Sequence, residues 1–153
     1  MFAQLAPLAL LGPMLAVATV TDLRHRLIPN KLNAGIALLS PISWLLLGFG
    51  LREVALVLAL ALGVFLFFAL LFRFGQMGGG DVKLGAALVL WFRPGEVVAF
   101  LLATAIAGGV VTLATLVWHR WGKRAGNPET PYGLALVAGA LLIFTQRYLN
   151  HFA

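Results

Sequence analysis

The chain contains no cysteine. Disulfides and thiolate metal sites are therefore excluded. It has three histidines, His25, His119 and His151, and their scatter supplies no metal-ligand set. Charge is scarce as well. Only 10% of the 153 residues are Asp, Glu, Lys or Arg, whereas a soluble domain carries about 25%. Acidic residues number five, and only two of them are aspartates, Asp22 and Asp81. No internal repeat and no soluble domain is evident.

Apolar residues fill the chain instead, at 61%. That composition implies an integral membrane protein, with residues 1–153 forming one membrane-embedded domain. The net charge of +6 then reads as a record of topology and not as a nucleic-acid footprint. The first apolar stretch lacks a basic leading region, so it is expected to be a retained span and not a cleaved signal.

Six apolar segments are expected, at about 2–20, 32–51, 54–74, 81–92, 97–118 and 131–149, giving an all-α bundle of about six transmembrane helices. Pro7, Pro13 and Pro41 interrupt segments one and two, which neighbouring membrane helices tolerate. Segment one ends at Thr21-Asp22, and a polar loop follows over 23–31. Segment four is short and starts in a polar cavity open to the cytoplasm. The alternating loops collect Arg24, Arg26, Lys31, Arg73, Lys83, Arg120, Lys123 and Arg124 on one side. Arg52, Arg93 and Arg147 fall on the other. The richer side belongs in the cytoplasm, and both aspartates lie at that edge of the membrane.

The chain is organised around Met77-Gly78-Gly79-Gly80-Asp81-Val82-Lys83-Leu84. Three glycines break the apolar run, because each costs about 1 kcal/mol in a helix interior. They allow a sharp turn and close approach of another chain segment. Asp81 then suits a helix N-cap at the positive end of the helix dipole. Asp22 sits at the opposite, unfavourable end of its own segment. Ionisable groups at membrane depth mark function.

Two carboxylates brought together share one proton. The ionised member takes a proton from water, and the protonated one assists the carbonyl and then the leaving amine. That is peptide hydrolysis without a cofactor or metal. The dipole at the end of segment one makes Asp22 the expected holder of the shared proton.

Gly78-Gly79-Gly80-Asp81 resembles the G-x-G-D motif of intramembrane aspartyl proteases. Val82-Lys83-Leu84 continues it as in type IV prepilin peptidases. Asp22-Leu23-Arg24 with Ile28-Pro29-Asn30 resembles that family's first aspartate motif, and Pro131-Tyr132-Gly133 resembles the opening of the last span in the small forms serving tight-adherence (Flp-type) pili.

The resemblance implies removal of a short basic leader from prepilins at the cytoplasmic face of the bacterial inner membrane. The substrate would be a prepilin whose hydrophobic N-terminal helix remains in the lipid bilayer. Carried over by residue, Asp22 and Asp81 are the catalytic pair. Gly78, Gly79 and Gly80 form the turn presenting Asp81, and Lys83 and Arg24 are supporting candidates. Larger members add a cysteine-bearing domain and methylate the new N-terminus. The chain begins at the first span and has no cysteine, so peptidase activity alone is expected. The alternatives are a non-enzymatic membrane subunit or small transporter using the aspartates as an ion relay, and a preflagellin peptidase with the same chemistry.

Blander readings attach to the remaining residues. Lys83, Arg24 and Arg26 are mainly topological, with Lys83 snorkelling to the interface. Glu53, Glu96 and Glu129 are solvated turn residues, although Glu129 could meet a leader lysine. Trp44, Trp91, Trp118 and Trp121 read as an interfacial belt. Ala103, Ala107 and Gly108 form a small face for helix packing.

Overall fold

The computed structural model describes residues 2–121 and 132–149. Among the described residues there are six α-helices and no strand. They are α1 (Phe2–His25), α2 (Asn30–Leu47), α3 (Leu51–Arg73), α4 (Gly79–Val89), α5 (Val97–Trp121) and α6 (Tyr132–Leu149), with a 3-10 turn at Pro94–Glu96. The fold is the expected all-α membrane bundle. Lys123, Arg124, Glu129, Pro131 and His151 lie outside the described residues.

Two stretches, Leu51–Arg73 and Pro94–Trp118, are long and apolar enough to cross a membrane. Only 22% and 17% of their apolar windows are buried inside the protein. A core helix of a soluble protein would be mostly covered. Here Leu58, Leu62, Leu66, Leu102, Ile106 and Val110 are each at least half exposed. Such an outward apolar surface needs lipid, since water would charge about 25 cal/mol for each Å² of it.

The shortest helix lies innermost. α4 packs against α2, α3 and α6, while α1 joins α2 to α6 and α5 lies along α6. Its eleven residues rise about 16 Å, roughly half the hydrocarbon core. It therefore does not span alone. Leu84, Leu88 and Val89 are fully buried, as are Trp91 and Phe92 just beyond its end. The long outer helices shield it, so its backbone needs no contact with lipid.

Glycines set how closely the helices approach. A β-carbon at Gly85 would collide with the Phe68 ring, and one at Gly139 with Thr104 Oγ1. Gly108 packs near Tyr132 and Ala135, which agrees with the small face expected on segment five. Pro7, Pro13 and Pro41 lie inside continuous helices.

Several local expectations change. α1 continues through Asp22 to His25, so Asp22 is helical and the polar loop shrinks to four residues, 26–29. Trp91 is fully buried and donates its indole N–H to the Ile36 carbonyl at 2.9 Å; Trp44 does the same to Leu90 at 2.6 Å. Both tie α2 to the α4 end, and Trp91, inside the core, is not a belt residue. A buried indole needs such a partner. Trp118 and Trp121 are exposed, as a belt requires. Glu96 is not merely a solvated turn residue. It pairs with Arg147 from α6, and its second role is to accept the Arg93 N–H at 2.8 Å. Glu53 accepts the Gly50 N–H at 2.8 Å and so caps α3.

Candidate active site

α1 ends on an uncommon device. Arg26 has φ 54°, in the left-handed region that L residues rarely occupy. Its N–H closes on the Asp22 carbonyl at 2.9 Å. Helices often stop this way, but with glycine at the left-handed position. Holding arginine there costs about 1–3 kcal/mol, a strain that clusters at functional sites. The turn sends residues 27–29 across the start of α4, and Pro29 then precedes the first turn of α2.

The three glycines act through proximity. Neither Gly78, Gly79 nor Gly80 has positive φ; the left-handed glycine of this loop is Gly75, at 70°. Gly78 is the N-cap of α4, and Gly79 and Gly80 begin the helix. Asp81 therefore occupies the third helical position and is not the cap itself. Its carboxylate turns back over Gly78, where a β-carbon would lie 2.9 Å from Oδ2. At Gly80 a β-carbon would meet Ile28, 3.1 Å from its β-carbon and 3.2 Å from its backbone nitrogen. Asn33 adds a second link by donating its Nδ2–H to the Gly80 carbonyl at 3.0 Å. The two aspartate-bearing stretches are thus docked on each other through Ile28 and Gly80.

The result is a cavity of about 500 Å³. Asp22, Arg26, Ile28, Pro29 and Asn30 line one side; Gly78 to Asp81 and Lys83 line the other. Asp22 is 4% and Asp81 8% exposed, yet both border this polar space. Asp22 lies within electrostatic reach of Asp81 and of Arg26. The Leu134 N–H, at the start of α6, donates to Asp22 Oδ2 at 3.1 Å. Gly133 crowds the same oxygen. The last span thereby touches the first aspartate.

Both aspartates and all three glycines expected at the site line this cavity. Lys83 is more than a snorkelling side chain: its Nζ donates to Asn30 Oδ1 at 2.7 Å. Arg24 is exposed on the last turn of α1 and does not line the cavity. Arg26, which reads as topological in sequence, does line it. Asn30, Asn33 and Gly133 were also missed as site residues. Asn30 and Gly133 sit inside recognisable motifs, so a signal exists; Asn33 reads only as part of the first turn of a helix. No group of three or more metal-ligating side chains occurs among the described residues.

Residues 9–113 match the type IV leader peptidase family, more than half of the chain, and the protein belongs to that family. The chain is similar to the prepilin leader peptidase/N-methyltransferase of Bacillus subtilis (strain 168), with 29% identity over 151 residues. The alignment covers 92% of this chain but 56% of that protein, so the chain spans little more than half the length of its relative. No solved structure matches it.

Proposed function

We propose that this protein is a membrane aspartyl endopeptidase that removes the short basic leader of type IV or Flp-like prepilins at the cytoplasmic face of the inner membrane. One observation carries the reading: the only two aspartates of the chain, 22 and 81, are buried at the edge of one cavity. Family membership supports the reaction class. The bias of Lys and Arg toward one set of loops supports the orientation.

Asp22 acts as the base. The peptide N–H of Leu134 is aimed at its Oδ2, and a donor aimed at a carboxylate favours the charged form. Asp81 holds the shared proton. This reverses the assignment expected from the helix dipole alone, because Asp22 has two backbone N–H groups and the Arg26 cation near it, whereas Asp81 has one backbone N–H. A water between them loses a proton to Asp22 as its oxygen bonds to the scissile carbonyl carbon. Asp81 hydrogen-bonds the carbonyl oxygen and then protonates the amine as the carbon–nitrogen bond breaks. Asp22 returns its proton to the pair, and no cofactor takes part.

Gly78, Gly79 and Gly80 hold Asp81 against the first motif, and Lys83 fixes Asn30 beside it. The basic leader meets the two carboxyl groups. Hydrolysis needs only the two carboxyl groups and a water, and peptidase activity without methylation is the reading proposed.

Co-expression with candidate prepilins tests it. The unaltered chain removes the leader, whereas Asp22→Asn and Asp81→Asn each abolish removal while the protein stays inserted and folded. Normal cleavage by either variant refutes the shared-proton mechanism.

A further inference from the structure

Among the described residues, apolar grooves open sideways on either side of α3, and they differ in what they reach. One lies between α3 and α5, with Leu101, Gly108 and Leu113 on its wall. Neither aspartate lines it. Phe68 and Phe72 of α3 stand against Gly85 and Gly79, which closes that side of α4.

The other groove, of about 450 Å³, lies between α2 and α3. Both helices pack on α4 without packing closely on each other, so α4 forms the floor. Ala34, Ala37, Ala61, Ala86 and Ala87 line it. It ends at Asn30 and Lys83, the same two residues that border the aspartate cavity. The two spaces adjoin at that hydrogen-bonded pair, which stands between them. From Asn30 to Ala37 the groove is about 10 Å long, room for two helical turns.

A transmembrane helix entering from the cytoplasmic side starts with four N–H groups that have no partner within the helix, and lipid offers none. The groove ends where acceptors are found, at Asn30 and, beyond it, the two carboxyl groups.

The geometry points to the groove between α2 and α3 as the seat of the substrate's apolar helix, whose N-terminal end crosses Asn30 and Lys83 to reach Asp22 and Asp81. This rests on the leader-peptidase reading above. The alanines let the incoming backbone approach closely. The helix's first N–H groups and the positive end of its dipole face Asn30 and the carboxylates.

A photoreactive benzophenone amino acid placed at exposed Leu58 or Leu62, and at Leu113 for comparison, tests this. The Asp81→Asn background holds a full-length prepilin uncut. Crosslinks are expected from 58 and 62 and not from 113. Crosslinks from 113 alone, or none from 58 and 62 while the Asp81-bearing chain removes the leader, overturn the inference. If the unaltered chain removes no leader, the functional reading falls and takes the inference with it.

Ala34→Trp supplies a second measurement, because Ala34 is exposed and outside the aspartate cavity. KM for full-length prepilin in liposomes should rise about tenfold, equivalent to about 1.4 kcal/mol, with kcat kept. A leader peptide ending just past the cut should be processed as before. An unchanged KM for the full-length substrate overturns the inference.

Discussion

Gly133 of α6 stands against the Asp22 carboxylate of α1: a β-carbon at 133 would lie 2.7 Å from Oδ2 and 2.9 Å from Cγ. The next residue, Leu134, donates its N–H to that oxygen. One turn of the last helix therefore both confines and orients the first aspartate.

Gly133→Ala should accordingly displace the carboxylate while leaving the helices in place. A misplacement of about 1 Å can cost about a hundredfold in rate. Single-turnover leader removal should fall by that order, with little change in substrate binding. A wild-type rate would show that Asp22 does not need this position.

Gly80 and Gly79 should respond differently to alanine, although the sequence presents them as equals. At 80 the new methyl meets the Ile28 backbone, which cannot rotate away. Overpacking of that kind costs about 1–3 kcal/mol, more than alanine's helix advantage of about 1 kcal/mol. At 79 the methyl meets only the Phe72 ring at 3.4 Å, an ordinary contact. Thermal unfolding in detergent should show Gly80→Ala destabilised and Gly79→Ala unchanged or slightly stabilised. Equal losses at both positions would contradict the docking of Ile28 on Gly80.

Leader removal should follow a bell-shaped pH profile. The rate rises with pH as the first of the two carboxyl groups ionises, because a base is then available. It falls as the second ionises, because the acid is lost. Asp22→Asn and Asp81→Asn should each remove activity across the whole range. A rate that climbs steadily with pH and reaches a plateau would mean that no protonated carboxyl is required.

The released product offers a separate check. Its mass should correspond to an unmodified N-terminal amine when this protein acts alone with the methyl donor S-adenosylmethionine supplied. A gain of one methyl group would assign both activities named for the Bacillus relative to this chain.

Much of this was legible without coordinates. The apolar runs foretold six helices because lipid demands long, uniformly apolar segments whose backbones bond internally. The two aspartates stood out because almost nothing else in the chain is acidic. The glycine stretch marked the start of α4 because glycine disfavours helix interiors. The C-terminal end of α1 is not legible in the sequence, since the helix runs on through Asp22 to His25. Arg26 supplies a left-handed stop beyond it, and Trp91 hides in the core despite sitting at a span end.

The sequence by itself determined that this is a membrane-embedded helical protein with one pair of aspartates, since composition and hydrophobic run length are local properties of the chain. The tertiary structure alone decided that Gly133 confines Asp22, that Gly80 seats Ile28, and that Asn30 and Lys83 stand between a lateral groove and the aspartates. Those relationships depend on how six separate helices meet, and residues 52 or 111 positions apart become neighbours only through that packing.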